Sequence, residues 1–254
     1  MVLEKKQVLI SVKAYPNPSR KYGETVCCAG IDLEARSWIR LYPIPFRDLD
    51  SSQKFKKYTI IDVGCWKGRD DPRAESYKVD SESIRVVKWL DTKRNWEARK
   101  EIVLPTVSPS FCEILMGSAH KSLGMFRPTA INFSWKKSLP EDHQKVEVCY
   151  AQLSFWDKQK KAIEHIPFDF YYAFKCKGIS QCPGHKLSII DWEIGQAYRD
   201  WRCKYGSQDM LLEKIRQRWL DLMCAEINDV HFYVGNMLRF RDQFMVLGVF
   251  YPKK

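Results

Sequence analysis

From Phe168 to Cys176 the chain alternates without a break. Phe168, Phe170, Tyr172, Phe174 and Cys176 fall on one face, and Asp169, Tyr171, Ala173 and Lys175 on the other. Only a strand, whose successive side chains point to opposite faces, turns that order into one apolar surface. Such a strand has to lie on a core with its second face toward water. Further strand-like runs occupy 7–13, 26–33, 38–44, 58–67, 83–90, 146–156, 187–190, 230–234 and 243–251. The stretch from Phe244 to Tyr251 is apolar on both faces, which predicts a central strand.

Helical spacing appears in three places. Ser108 and Pro109 suit the start of a helix in which Cys112, Leu115, Ala119 and Leu123 share a face, with Gly124 at its end. Asp191 suits the cap of a second, with Ile194, Ala197, Tyr198, Trp201 and Tyr205 inward. A third fits 208–224, with Leu212, Ile215, Trp219, Leu222 and Met223 inward. The order predicts a β-rich α+β fold, with a small barrel or sandwich early in the chain. The predicted division is a barrel-like domain over 1–91, a helical connection over 92–145, and a β-rich domain with two helices over 146–254.

The chain carries 42 Lys and Arg against 31 Asp and Glu, a net +11. Residues 1–100 hold 21 basic and 14 acidic residues, so +7 of the excess lies there. A basic surface attracts polyanions, which predicts a nucleic acid, DNA or RNA, as partner. An acidic protein partner, in an interaction subunit, is the alternative. No apolar run approaches the roughly 20 residues of a membrane helix, and the charged opening Met1-Val2-Leu3-Glu4-Lys5-Lys6 does not resemble a secretory signal. The expected location is cytoplasmic, with the nine cysteines as thiols or metal ligands.

Trp38, Arg40 and Tyr42 fall on one face of the strand 38–44. Bases stack on aromatic rings and cations hold phosphates, so this face is a candidate nucleic-acid surface. Arg20, Lys21, Tyr22, Arg47, Lys56, Lys57, Trp66, Arg69 and Arg73 complete the candidate set. The competing reading packs Trp38 and Tyr42 beneath the helix near 108–123 and pairs Arg40 with a carboxylate; a peptide-binding surface is a third. Asp70, Asp71, Arg73 and Glu75 read as a solvated turn with internal ion pairs more readily than as a Mg²⁺ site.

Cys176, Cys182 and His185 are the sharpest local pattern, with Pro183 and Gly184 as a tight turn between them. Thiolates and imidazole at short spacing suit tetrahedral Zn²⁺. The fourth ligand is open: Cys203 is the first candidate, with Cys27, Cys65 and His231 behind it. Alternatively Cys176 is a small core hydrophobe and His185 is simply hydrogen-bonded. Asp191 and Glu193, with His185, form an alternative constellation for a metal-dependent nuclease. Against it, Asp191 suits a helix cap, Glu193 complements the helix dipole, and Gly195 stands where a nuclease lysine would help. No phosphate-binding loop, dinucleotide fingerprint, metalloprotease, serine-hydrolase or nucleoside-deaminase motif is present.

Several patches together resemble a group of prokaryotic proteins with a dual-OB domain. They are Tyr15-Pro16, Pro18 to Cys27, Trp38 to Pro43, Asp71 to Ser76, Phe170 to Cys176, Cys182 and His185, Asp191-Trp192-Glu193, and Gly248 to Pro252. The resemblance implies two OB-like barrels or half-barrels and a nucleic-acid recognition role, as one subunit of a genome-defence system. It does not imply catalysis.

Overall fold

The protein was described from a computed structural model, over residues 2–19, 23–116, 121–139 and 166–254. Its first half is a ring of strands. These are β1 (Glu4–Lys13), β3 (Gly23–Asp32), β4 (Ser37–Ile44), β5 (Thr59–Trp66) and β6 (Ser76–Trp89), with the short β2 (Asn17–Ser19) appended to β3. The order β1-β5-β6-β4-β3 closes because β1 pairs with β5 along Glu4–Ile10 and with β3 along Val8–Lys13. The two edges of β1 serve the two neighbours, and the register with β3 shifts between Ile10 and Val12, a bulge that bends the strand. Gly30 allows the close approach, since a Cβ there would collide with the carbonyl of Leu9. Val8, Ile10, Ile39, Leu41, Ile61 and Val63 fill the interior. A five-stranded barrel with one parallel contact, β4 to β6, is OB-like.

The second half repeats the winding. Its strands are β7 (Leu123–Phe126), β8 (Pro128–Lys137), β9 (Phe168–Cys176), β10 (His185–Ile189), β11 (His231–Asn236) and β12 (Phe244–Phe250), in the order β7-β11-β12-β10-β9-β8. Only Arg127 separates β7 from β8, so the two edges of this sheet are one bent piece of chain. Taking β7 and β8 as one strand gives the connectivity of the first barrel, again with a single parallel contact, β10 to β12. Helices α3 (Trp192–Trp201) and α4 (Gln208–Arg216) lie between β10 and β11 in sequence. They cover the apolar face of β9 with Ile194, Tyr198, Leu212, Ile215 and, just beyond α4, Trp219. Asp191 and Ser207 cap them by accepting from the backbone N–H of Glu193 and Met210. The fold is the expected one: β-rich α+β, built on two small OB-like barrels or half-barrels with a few packed helices.

Three details differ from expectation. Among the described residues of 92–145, helix is confined to α1 (Lys93–Val103), a short 3₁₀ turn and α2 (Phe111–Met116), while 123–126 and 128–137 are strand. Leu123 and Gly124 leave the helical pattern because pairing with Gly235 and Val234 satisfies their backbone and buries them. The cap of α2 is Ser110, whose Oγ accepts from Glu113 N at 3.0 Å, not Ser108. Leu222 is exposed because the helix widens to π geometry over Gln217–Leu222 and rotates its face, while Leu211 turns inward. The expected strand at 146–156 lies outside the described residues.

A third apolar cluster spans both halves, with Leu9, Val12 and Ala29 against Met125, Tyr233, Leu247 and Phe250. The backbone bridges them too: Tyr15 N donates to Ile190 O at 2.7 Å. Gly195 has a packing role here. A Cβ on it would strike the ring of Tyr15, which crosses from the first barrel. Among the described residues no helix is long and apolar enough to cross a membrane.

Candidate metal centre

The alternation that makes β9 a strand delivers Cys176 to its buried face at the barrel's end. The chain then turns through 177–184 and re-enters the sheet at His185, opposite Phe174. Gly178 (φ +75°) and Gly184 (φ +85°) take left-handed conformations that favour glycine. The turn carries Cys182 back beneath the strand, where its Sγ accepts from Cys176 N at 3.3 Å. The first residues of α2 supply Cys112.

Four ligand atoms thus converge from three segments. Cys112 Sγ is 3.9 Å from Cys182 Sγ and 3.6 Å from Cys176 Sγ. His185 Nε2 lies 3.2, 3.6 and 3.3 Å from the sulfurs of Cys112, Cys176 and Cys182. All four atoms lie within 4.8 Å of one another. The three cysteines are buried and free of disulfides. Phe111 meets the imidazole edge-on at 4.8 Å and Phe174 lies at 5.4 Å, so aromatic rings wall the cluster. This is a buried Cys₃His cluster that could hold a metal ion. Four protein donors leave no open position, the character of a structural site.

The electrostatics fit that use. Burial, then the neighbouring thiols of Cys176 and Cys182, push Cys112 up to about 12. Burial opposes ionisation of Cys182 as well, yet N–H groups of Cys176 and Gly184 hold it below the usual thiol value. Burial lowers His185, favouring the neutral imidazole that ligates metals. Three adjacent thiols cannot all ionise alone; a cation among them reverses that balance.

Cys176, Cys182 and His185 come together as their spacing suggests. The fourth member is Cys112, not Cys203, which is exposed and outside the cluster. Cys27 and Cys65 belong to the first barrel, and His231 Nδ1 lies against Asp229 O at 3.2 Å. Cys112 carries no short-spacing signal. It reads as one more apolar position of a helix, and only the docking of α2 on β7 and β9 reveals it.

The alternative constellation is dispersed. His185 faces the thiols. Asp191 is buried, caps α3, and meets Lys57 Nζ at 2.7 Å through both carboxylate oxygens. Burial disfavours both charges, and the paired geometry keeps them ionised together. Glu193 is exposed and 3.4 Å from the same amine. The carboxylates serve as cap and ion pair and do not share a site with His185.

The face of β4 is likewise not a free surface. Trp38 packs edge-on against Tyr233 of the second barrel at 5.8 Å. Arg40 is 4% exposed. Its guanidinium donates to Ser122 Oγ (2.7 Å), Ser122 O (2.9 Å) and Ser76 Oγ (3.2 Å), and Ser122 in turn donates to the Glu75 carboxylate. The second barrel covers this face because its polar groups satisfy the arginine. Arg47 pairs with Glu24 at 2.6 Å. Arg73 binds Asp71 at 2.7 Å and donates to Asn236 O at 2.9 Å. The turn at 70–75 therefore holds the internal ion pair Asp71–Arg73, largely buried rather than solvated, while Asp70 pairs with Lys78 outside the turn; although burial works against it, hydrogen bonds from Arg73 hold Asp71 down to about 2. Tyr42 and Trp66 are half-buried, while Lys56 and Arg69 are exposed. Arg20, Lys21 and Tyr22 lie outside the described residues.

The aromatic-basic pattern recurs on a surface that sequence reasoning passed over. On the outer face of β8, β9 and β10, Tyr171 is half-buried and lies 5.4 Å from Lys136 Nζ and 5.1 Å from Lys186 Nζ. Lys175 is exposed further along the same face. The outward side of the β9 alternation was the available signal.

No curated protein matches the chain. Residues 4–105, the first barrel with α1, match the family model described as Domain of unknown function (DUF8758). Residues 107–254 take in the second barrel and all four members of the Cys₃His cluster; over that span, more than half its length, the chain belongs to the family described as Domain of unknown function (DUF8757).

Proposed function

We propose that this protein is a nucleic-acid-binding module whose second OB-like barrel presents the contact surface. The observation that carries this reading is Tyr171 between Lys136 and Lys186 on the outer face of β8, β9 and β10. That face is built from the strands small OB barrels offer to oligonucleotides. A ring flanked by amines supplies stacking and phosphate contact together. The loop 237–243 adds exposed Arg239, Phe240 and Arg241 between the last two strands, where such barrels hold a strand's path.

In this reading the Cys₃His cluster holds zinc. Zinc–sulfur bonds of about 2.3 Å and zinc–nitrogen bonds of about 2.0–2.1 Å place tetrahedral ligands about 3.8 Å apart between sulfurs and about 3.5 Å apart between sulfur and nitrogen. The separations of 3.6–3.9 Å and 3.2–3.6 Å agree. The ion would clamp α2 to the β9–β10 turn and fix the barrel end from which β10 starts, without taking part in chemistry.

The test is fluorescence anisotropy with labelled single-stranded DNA, single-stranded RNA and duplex DNA. Wild-type protein binds one of them, and Tyr171→Ala weakens that binding by about 1–3 kcal/mol, the worth of one stacked base. Equal binding by Tyr171→Ala, or no binding to any of the three, rejects the reading.

A further inference from the structure

A cavity of ≈ 430 Å³ opens where the end of β1 and the segment between β4 and β5 meet the start of α3. Its walls are of two kinds. Phe46, Phe55 and Trp192 form an aromatic side, with Phe46 5.1 Å from Phe55 and 5.8 Å from Trp192. Lys13, Lys54, Lys56 and Lys57 supply amines. Lys57 is engaged by Asp191, and by Glu193 at the rim. The other three form no ion pair among the described residues.

Lys13 is the telling member. It is 7% exposed, with its ammonium 3.6 Å above the Phe46 ring, 5.0 Å from that of Trp192, and 3.2 Å from the carbonyl of Phe55. A buried ammonium is costly without a counter-charge, and one carbonyl with aromatic faces only partly replaces water. Both nearby carboxylates, Asp191 and Glu193, are already held by Lys57. The cavity therefore offers three uncompensated amines beside an apolar, ring-lined wall. Its volume falls in the range of small-molecule sites.

We infer that this cavity binds a nucleotide, its base against the half-buried Trp192 and its phosphate between Lys13, Lys54 and Lys56. The site is separate from the Tyr171 face and does not depend on the proposed function. The phosphate neutralises Lys13, and the planar base covers the part of Trp192 that a simple anion would leave exposed. A free mononucleotide and the 5′-phosphorylated end of a strand share this chemistry.

Isothermal titration calorimetry on the full chain, with AMP, GMP, CMP and UMP each in turn, tests the inference. At least one nucleotide binds with one-to-one stoichiometry, and its nucleoside and inorganic phosphate each bind at least about tenfold more weakly. The double variant Lys54→Ala/Lys56→Ala, which changes only exposed side chains, weakens the nucleotide about tenfold, and Lys13→Met does the same or more. Tyr171→Ala leaves it unchanged. Competition by a 5′-phosphorylated decamer but not its 5′-hydroxyl form identifies a strand end as the source; no competition by either identifies the free nucleotide. Failure of all four nucleotides to bind wild-type protein overturns the inference, as does undiminished binding by the double variant.

Discussion

Cys112 Sγ lies 3.2 Å from His185 Nε2 although 73 residues separate them. Cys112 belongs to a short helix, and His185 opens a strand that reaches it through the turn carrying Cys182. A tie of this length gains most from a metal ion, because it closes a long loop with a few bonds. On the proposal that the cluster holds zinc, Cys112→Ser is expected to abolish metal binding and to cost at least about 4 kcal/mol, the range for loss of a metal site. At this size that is a fall in melting temperature of roughly 8–16 °C. Elemental analysis beside thermal unfolding checks both. Cys203→Ser, outside the cluster, is expected to change neither.

Lys57 and Asp191 tie the barrels electrostatically. Lys57→Met leaves a buried carboxylate without its counter-ion, which costs about 3–5 kcal/mol. Replacing both, as Lys57→Met/Asp191→Asn, keeps a capping side chain for Glu193 N and removes the stranded charge. The double variant should therefore lose less than the sum of the two single losses. Urea unfolding of the four proteins decides it, and strict additivity contradicts the coupling.

Arg40 separates structure from recognition. Its guanidinium satisfies Ser122 and sits beside the Glu75 carboxylate in the interior. Arg40→Ala is expected to destabilise by roughly 2–4 kcal/mol through the polar groups left unpaired. The protein that remains folded should bind nucleic acid as wild type does. Calorimetric unfolding and anisotropy on one sample report the two effects independently.

The lysines flanking Tyr171 on the second barrel should appear in the salt dependence. Lys136→Ala/Lys186→Ala is expected to reduce the slope of log affinity against log salt by about 1.4 for a single strand, at roughly 0.7 for each phosphate no longer neutralised. Titrations at a series of ionic strengths measure it. An unchanged slope places the phosphates elsewhere.

Asp71 supplies a pH dependence of stability. Its carboxyl is held at about 2 in the folded protein, below its ordinary 3.8, chiefly by Arg73 acting against burial. A depressed acid contributes stability that is fully present above the unfolded value and is lost as pH falls through the folded one. The difference in unfolding free energy between wild type and Asp71→Asn should hold steady above about pH 5, shrink below 3.8, and level off only below 2. Urea titrations across that range test the sign.

Much of the architecture was legible in local pattern. The period-two run Phe168–Cys176 names a strand, its buried face and its wet face, because the pleat permits no other assignment. The apolar run from Phe244 to Tyr251 places a central strand, and Asp191 marks a helix start. Cys176, Cys182 and His185 announce a cluster because ligands a few residues apart need only one turn to meet. Composition and charge set the class of partner to look for.

What sequence left open depended on which surfaces meet. Trp38 and Arg40 look like a recognition face on an isolated strand, but the second barrel covers them, and Ser122 and Tyr233 that do so come from distant segments. Leu123 reads as helix until β11 offers its backbone a partner. Cys112 is indistinguishable from a core position until α2 docks beside β9. Local order fixes which way a side chain points relative to its neighbours, whereas burial, pairing and ligation depend on long-range contacts whose energy no short window of residues contains.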